Sequence, residues 1–213
     1  MKVLELFAGT RSISRAFEKH GHEVYCIEWN KDFENIDWYA DIGTITAQDI
    51  LERFGHPDVI WASPDCSTYS VAAISHHRKK NPETGSLDPT TEYATFCDTV
   101  NQHVVELIKE LNPTVYFIEN PRAAMRKMWW MQELPRYTVT YCKYGETRMK
   151  PTDIWTNHPA PQFLPPSKNG DPDHEKAPRG SRTGTQGIKG SAERARIPDL
   201  LCEHIVKICE EII

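Results

Sequence analysis

The sequence predicts an α/β fold, built on a mainly parallel sheet with helices on both faces. Short apolar segments of strand character alternate along the chain with segments whose apolar residues recur at helical spacing. Most of the strand segments are continuously apolar, which is typical of parallel strands buried on both faces. The 213 residues, 39% hydrophobic and 26% charged, suit one such domain with a small addition. They exclude disordered, collagenous and coiled-coil chains.

Four short apolar segments are predicted as strands of this sheet. They cover residues 2–7, 24–28, 57–62 and 114–119. Gly9 ends the first segment, where an ordinary tight turn and a close approach of the backbone to a ligand both suit a glycine.

Apolar residues at helical spacing predict two helices between the first three strands. The first helix carries Ile13 and Phe17 and ends at Gly21. The second begins at Thr46, because Thr46 with Asp49 three residues later forms the pattern of a capping box.

Two further helices complete the prediction. The longest covers residues 93–111 and stops before Asn112-Pro113, because the residue before a proline disfavours helical geometry. The last helix starts near Ile197, and Pro198 is tolerable in its first turn.

The composition changes after residue 156. Of the 34 residues from 157 to 190, 11 are Pro or Gly, so we expect an irregular segment there. From Lys143 to Arg196 the chain carries 10 basic and 6 acidic side chains, a local charge of +4 in a chain of net charge −5. A basic segment on an acidic body suits contact with phosphates, although a solvated loop is the alternative. We predict a core over 1–156, an irregular basic segment over 157–196 and a packed helix over 197–213.

The six cysteines include no C-x-x-C pair, so we expect reduced thiols and a cytoplasmic protein. No apolar stretch is long enough for a membrane span, and no signal peptide is expected. Cys142, His158 and His174 lie at irregular spacings, and the sequence therefore predicts no metal site.

Polar residues follow the first strands where a parallel sheet binds ligands, at the carboxyl ends. Glu28 can accept hydrogen bonds from both hydroxyls of a ribose, and Trp29 beside it offers a face for an adenine. Asp41 can accept from an exocyclic amine. Together with the Gly9 loop, these residues predict a nucleoside site.

A cysteine and a carboxyl group are predicted at the same edge of the sheet. Cys66 follows a buried strand directly, where a thiol is exposed enough to react, whereas a structural cysteine would normally lie inside a helix or strand. Glu119 ends the strand after the longest helix. The pair predicts a nucleophile with a neighbouring acid or base.

The order and spacing of these motifs resemble the DNA (cytosine-5)-methyltransferase family. Tyr69 and Ser70 stand at the F-S of that family's P-P-C-Q-x-F-S motif, and Arg196-Ile197-Pro198 is similar to its closing motif, which packs beside the first one. The resemblance rests on Phe7-Ala8-Gly9, Glu28, Asp41, Pro64-Asp65-Cys66, Glu119-Asn120 and Arg148-Met149-Lys150. It implies a Rossmann-like S-adenosylmethionine-dependent methyltransferase fold, in a compact form like those of phages or prokaryotes.

The resemblance also implies the reaction and its residues. Cys66 would attack carbon 6 of a flipped cytosine, Glu119 would hold its ring nitrogen and exocyclic amine, and Arg148 or Lys150 would supply positive charge. The cofactor S-adenosylmethionine would be bound by Phe7, Ala8, Gly9, Arg11, Glu28, Trp29, Asp41, Ile42 and Pro64.

Several positions depart from the family's pattern. Arg11 and Ser12 replace glycines, and Arg11 could pair with the carboxylate of the cofactor. Asp65 replaces a proline and would raise the pKa of the Cys66 thiol. Pro121 replaces a valine. The family's long target-recognition domain is missing, so we expect loose or very short sequence recognition.

DNA is the expected substrate, contacted by two basic stretches for which a plain solvated loop is the alternative. The predicted contacts are Ser70, His76, His77, Arg78, Lys79, Lys80, Arg179, Arg182, Lys189 and Arg194. Three other functions remain open: an RNA cytosine-5 methyltransferase, a nucleic-acid-binding module that keeps the cofactor pocket, and an amino-methylating enzyme suggested by Ser63-Pro64-Asp65. The sequence leaves the oligomeric state and the target site open, and predicts action in a prokaryotic or phage-infected cell.

Overall fold

A seven-stranded sheet lies at the centre of the protein. The computed structural model describes residues 1–176 and 190–213. The strands are β1 (Lys2–Leu6), β2 (Glu23–Glu28), β3 (Trp38–Tyr39), β4 (Val59–Ala62), β5 (Arg78–Lys80), β6 (Leu87–Pro89), β7 (Val115–Pro121), β8 (Arg136–Thr140) and β9 (Pro151–Thr156). The main sheet has the order β3-β2-β1-β4-β7-β9-β8, and β5 pairs with β6 in a separate hairpin.

Helices cover both faces of this sheet. They are α1 (Ser12–Lys19), α2 (Ala47–Arg53), α3 (Ile74–His77), α4 (Glu92–Leu111), α5 (Ser191–Ala195) and α6 (Asp199–Glu210). Leu4 and Leu6 of β1 belong to the core shared with α2 and α4, whereas Val3 belongs to the core shared with α1 and α6. Successive side chains of a strand point to opposite faces, so one apolar strand serves both cores.

The predicted strands and long helices form, and the sheet is mainly parallel as expected. β1 pairs in parallel with β2 and β4, and β4 with β7. The sequence did not indicate β8 and β9, which add an antiparallel pair to β7. Both segments mix polar with apolar residues, which weakens the signal of a buried strand.

Element boundaries follow the local chemistry of the sequence. Both hydrogen bonds of the Thr46–Asp49 capping box are present at the start of α2. Asn112 ends α4 in the left-handed region, at φ 45°. Pro198 precedes the first residue of α6 and does not lie in its first turn, which corrects the prediction. The Ile197 amide donates to Ser12 Oγ at 3.4 Å, so the closing motif lies beside the first one as the resemblance implied.

Two loop predictions are refined. The polar stretch after Cys66 contains α3 and the β5–β6 hairpin. Residues 157–176 carry no helix or strand, as expected of the irregular segment, but α5 forms near its end.

All six cysteines are free thiols. In residues 1–176 and 190–213, no helix combines the length and the apolar character that crossing a membrane requires.

Candidate active site

A cavity of about 310 Å³ opens at the carboxyl ends of β1, β2 and β4. Five of the predicted cofactor residues line it: Phe7, Trp29, Asp41, Ile42 and Pro64. The other lining residues are Asp65, Tyr93, Phe96, Cys97 and Val100. The sheet edge and the N-terminal half of α4 therefore form its walls together.

The loop after β1 has an unusual backbone. Phe7, Gly9 and Arg11 all have positive φ angles, of 58°, 50° and 59°. Residues other than glycine rarely adopt positive φ angles, and those that do concentrate at functional sites. Ala8 is buried and its amide donates to the Ile27 carbonyl at 3.1 Å, which fixes the loop to β2.

Glu28 holds this loop from the end of β2. Its carboxylate accepts from the Gly9 amide at 2.9 Å and from the Trp29 and Asn30 amides at 3.0 Å. The side chain is buried. Glu28 thus shapes the rim of the cavity, and its predicted contact with a ribose stays a prediction.

Arg11 is paired with protein groups beside the Gly9 loop. Its guanidinium pairs with Glu18 at 2.5 Å and donates to Cys26 Sγ at 3.1 Å, and Arg11 lies outside the cavity lining. These partners engage Nε and one terminal nitrogen, and the predicted pairing of Arg11 with the cofactor's carboxylate stays a prediction.

The cavity is lined by aromatic rings and by the carboxylate of Asp41. Trp29 is 67% exposed and Phe96 52% exposed, although both line the cavity, so aromatic faces are available for stacking. The exposed Asp41 accepts from the Gly43 amide with Oδ1, which orients its carboxylate at the rim. Mostly apolar walls with a few oriented polar groups, here Asp41 and Asp65, are the arrangement that a small-molecule site requires.

The sequence analysis missed the part of the cavity that α4 supplies. Tyr93, Phe96, Cys97 and Val100 belong to the apolar spacing that predicts the helix over 93–111. Periodicity does not distinguish a core face from a ligand face. The density of aromatic residues in the first turns was the one available signal.

Cys66 follows Asp65 in the loop after β4. Its side chain is partly exposed, and its backbone carbonyl accepts from the Tyr69 and Ser70 amides at 3.0 Å. Burial, then the charges of Glu119 and Asp65, raise the pKa of the Cys66 thiol to about 11, while Lys150 opposes the shift. The charge of Asp65 therefore raises the pKa of the Cys66 thiol, as expected from the replacement of a proline by Asp65.

Asp65 is held on both carboxylate oxygens. Oδ1 accepts from the Ser67 amide at 2.7 Å, and Oδ2 accepts from the Tyr93 hydroxyl. Asp65 therefore joins the Cys66 loop to the start of α4.

Glu119 is buried near the same thiol. Burial raises the pKa of Glu119, while Lys150 and hydrogen bonds from Ser63 and Tyr141 lower it. The Tyr141 hydroxyl donates to Oε1 at 3.2 Å. The adjacent Asn120 donates from Nδ2 to the Pro64 carbonyl at 2.9 Å, which ties the end of β7 to the Cys66 loop.

The two predicted cations differ in their positions. Lys150 Nζ lies 4.5 Å from the centre of the Tyr141 ring and donates to the Arg194 carbonyl at 2.5 Å. It acts electrostatically on both Cys66 and Glu119. Arg148 instead donates to the Lys176 carbonyl at 3.0 Å and lies 3.4 Å from Glu175. Lys150 is therefore the cation of the cluster.

The predicted phosphate contact of Arg78 is wrong. It is buried, pairs with Asp98 through both terminal nitrogens and donates from Nε to the Thr68 carbonyl at 2.9 Å. A guanidinium with these partners is a structural clamp, because a phosphate could reach it only if the pair were broken.

The remaining predicted phosphate contacts lie on the surface or outside the described residues. His76, Lys79 and Lys80 are exposed, and Ser70 and His77 are partly exposed. His77 Nδ1 lies 2.9 Å from Thr91 Oγ1. Arg194 is partly exposed. Arg179, Arg182 and Lys189 lie outside the described residues.

Two sequence comparisons agree with this geometry. Residues 1–128 match the model of the C-5 cytosine-specific DNA methylase family. The probable DNA (cytosine-5)-methyltransferase of Frog virus 3 (isolate Goorha) is 26% identical over 224 residues, which cover 98% of this chain and 100% of that relative.

Two solved structures share the fold. A putative DNA modification methyltransferase encoded within an E. coli prophage has a TM-score of 0.54 at 16% identity, over 73% of this chain and 46% of that chain. The S. pombe Dnmt2 methyltransferase has a TM-score of 0.51 at 14% identity, over 73% of this chain and 48% of that chain. The chain spans just under half the length of these two structures, and the likeness confirms the predicted Rossmann-like methyltransferase fold.

The family model covers more than half of the chain and includes Cys66, Glu119 and the cavity. The chain belongs to the C-5 cytosine-specific DNA methylase family, whose enzymes transfer a methyl group from S-adenosylmethionine to carbon 5 of cytosine in DNA.

Proposed function

We propose that this protein methylates carbon 5 of cytosine in DNA through a covalent bond between Cys66 and carbon 6. The observation that carries the proposal is that the Cys66 loop, Glu119 and Lys150 meet at the end of β7. Asn120 beside Glu119 donates to the Pro64 carbonyl at 2.9 Å, and Tyr141 contacts both Glu119 and Lys150. A thiol, a carboxyl group and an ammonium group supply the three functions that this reaction needs: a nucleophile, a hydrogen-bonding acid and a compensating charge.

The nucleophile makes carbon 5 reactive. When the Cys66 thiolate bonds to carbon 6, the electrons of the 5,6 double bond move into the ring, and carbon 5 becomes enamine-like. Glu119 donates a hydrogen bond to ring nitrogen 3, where negative charge builds. S-adenosylmethionine supplies the methyl group. A base then removes the proton from carbon 5, the double bond reforms, and Cys66 leaves as a thiolate.

The raised pKa of Cys66 makes formation of the thiolate costly in free energy. A thiol with a pKa of about 11 requires about 5 kcal/mol to ionise at pH 7. Protonation of Glu119 removes one of the charges that raise this pKa, and the same proton is the one that Glu119 donates to the ring. Lys150 lowers the cost further. The acid and the nucleophile thus favour each other's reactive forms.

The chain's own residues would hold the cofactor in the cavity. Trp29 and Phe96 would stack against its adenine, and Asp41 would accept from the exocyclic amine. Pro64 and Phe7 would close the side toward the Cys66 loop. The methyl donor and the nucleophile would then meet at one edge of the sheet.

DNA is the proposed substrate, with the base flipped into the site and the reaction taking place in the cytoplasm of a prokaryotic or phage-infected cell. Residues 157–196 would replace a target-recognition domain, between a core over 1–156 and the helix over 197–213. The exposed Lys79 and Lys80 would contact phosphates. Binding should weaken steeply with salt, and Lys79→Ala with Lys80→Ala should reduce the slope of log K against log salt by roughly 1.8.

Methyl transfer from labelled S-adenosylmethionine to cytosine-containing duplex DNA tests the proposal. We expect wild-type protein to form 5-methylcytosine and Cys66→Ser to form none, while Cys66→Ser keeps its affinity for the cofactor. Duplex DNA containing 5-fluorocytosine should trap wild-type protein covalently, because fluorine cannot leave as a proton does.

Each other result points to a different function. Transfer to transfer RNA alone would identify an RNA methyltransferase, and methyl on an exocyclic nitrogen would identify an amino-methylating enzyme. DNA binding without transfer by the wild type would identify a binding module. Transfer that survives Cys66→Ser would overturn the proposed role of Cys66.

A further inference from the structure

Three side chains with metal-ligand chemistry meet beside the 3-10 turn that follows β8. Cys142 lies in that turn, Tyr141–Tyr144, and Asp173 and His174 lie in the irregular segment. One ligand atom from each residue lies within 4.8 Å of the other two. None of the three residues lines the cavity.

These three groups match the preferences of one ion. Thiolate, imidazole and carboxylate are the donors that zinc binds in proteins. Bonds of about 2.0 to 2.3 Å in a tetrahedron place the donor atoms roughly 3.5 Å apart. Small side-chain rotations therefore suffice to bring these atoms into coordination.

The surroundings orient the cluster and also oppose a cation. Ser167 Oγ lies 3.2 Å from Cys142 Sγ and 2.7 Å from Asp173 Oδ2. Lys143 Nζ lies 2.5 Å from the same Oδ2. The other carboxylate oxygen, Oδ1, lies 3.1 Å from His174 Nδ1. One carboxylate oxygen of Asp173 therefore contacts Lys143 and Ser167, and the other lies near the imidazole of His174.

We propose that Cys142, Asp173 and His174 bind one Zn²⁺, with a water molecule as the fourth ligand. Binding releases the Cys142 thiol proton to solvent, because the thiolate is the ligand. The inference does not depend on the proposed methyl transfer.

The proposed ion would fasten the irregular segment to the core. Directly after His174, the Glu175 amide donates to the Thr147 carbonyl at 2.8 Å, and Arg148 reaches Glu175 and the Lys176 carbonyl. Zinc would therefore hold residues 173–176 against Thr147 and Arg148 of the core. The role of this ion would be structural. It would position Arg148 indirectly, because Arg148 contacts Glu175 and the Lys176 carbonyl directly after the ligand His174.

Zinc binding to the purified full chain tests the proposal directly. After removal of metals with a chelator, wild type should take up one equivalent of Zn²⁺ and compete with a chromophoric zinc chelator. Cys142→Ser and His174→Gln should each weaken binding at least tenfold. Co²⁺ should give the near-ultraviolet charge-transfer band of a thiolate ligand in wild type, and this band should be missing in Cys142→Ser.

Two control variants and one variant of a competing cation make the result specific. Cys66→Ser and His56→Gln, which remove a different thiol and an exposed histidine, should leave zinc affinity unchanged. Lys143→Ala should tighten binding several-fold, because it removes a competing cation from Asp173. The proposal is overturned if wild type holds no stoichiometric zinc, or if Cys142→Ser or His174→Gln binds zinc as wild type does. A loss of zinc in Cys66→Ser would overturn it as well.

Discussion

At the reactive residue, two carboxylates and burial oppose ionisation of Cys66, and one ammonium group favours it. Asp65 is the charge that the family's usual proline would not supply. Its carboxylate is held by Ser67 and Tyr93 rather than by a cation. Because both partners are neutral donors, they leave the charge of Asp65 acting on the thiol.

Asp65→Asn should lower the pKa of the Cys66 thiol. The change removes a negative charge that raises this pKa, while the amide oxygen can still accept from Ser67. Each unit of decrease multiplies the thiolate fraction tenfold at a pH below the pKa. The pH profile of Cys66 alkylation, followed by mass spectrometry, should move to lower pH. The exposed Asp32→Asn serves as the control, and an unchanged profile in Asp65→Asn would contradict this account.

Trp29→Ala should weaken binding of S-adenosylmethionine roughly tenfold. The ring is exposed at the wall of the cavity, and the loss of one aromatic stacking partner costs about 1 to 1.5 kcal/mol. Isothermal titration calorimetry measures the affinity. Trp129→Ala is a matched control, because Trp129 is 73% exposed and lies outside the cavity lining. Equal effects of the two variants would exclude a specific role for Trp29.

At the scale of elements, one buried ion pair joins three parts of the fold. Arg78 begins β5, Asp98 lies in α4, and Thr68 and Tyr69 follow Cys66. The Tyr69 hydroxyl donates to Asp98 at 2.6 Å, and the Arg78 guanidinium lies 4.3 Å from the centre of the Tyr69 ring. The cluster therefore fixes the segment after the nucleophile to the longest helix.

Arg78→Ala should reduce the free energy of unfolding by about 3 to 5 kcal/mol. Removing one partner leaves the buried Asp98 charge without its cation. Urea denaturation at neutral pH measures the loss. Lys79→Ala, which removes the exposed neighbour, should change the free energy by about 0.5 kcal/mol or less. A small effect of Arg78→Ala would show that Asp98 finds water or another partner.

For the whole molecule, a buried carboxyl group makes stability depend on pH. Glu5 lies under α1, accepts from Ser14 and Ile13, and has a pKa raised by burial to about 7. The folded state therefore binds more protons than the unfolded state between about pH 4.5 and 7. Stability should fall as pH rises through this window, and the full cost applies above it.

Glu5→Gln should remove much of this pH dependence. A shift of this size corresponds to about 3 kcal/mol, because each pKa unit is worth 1.36 kcal/mol. The free energy of unfolding from urea denaturation, measured at several pH values from 5 to 8, should decline less in Glu5→Gln than in wild type. The exposed Glu83→Gln should decline as wild type does. Parallel curves for Glu5→Gln and wild type would contradict the assignment.

The comparisons confirmed the fold class, the family, the methyl-transfer activity and the cofactor predicted from the sequence. The individual site residues and the domain boundaries stay predictions. Local signals were sufficient for β1, β2, β4, β7 and α4, because buried parallel strands and long amphipathic helices have strong patterns. They were insufficient for β8 and β9, because both segments mix polar with apolar residues and pair outside the buried parallel pattern: β9 with β7, and β8 with β9.

Chain order and residue type placed a thiol, three acidic residues and a glycine loop at the carboxyl edge of a parallel sheet, and that order was enough to identify the family. Side-chain partners were a different matter, since they depend on contacts between residues distant in sequence. Arg78 meets Asp98 in the interior rather than a phosphate, and α4 turns Tyr93 and Phe96 toward the cavity. Cys142 likewise meets Asp173 and His174 only after folding. The sequence specifies the type of each side chain, but only the packing of distant segments decides which groups that side chain contacts.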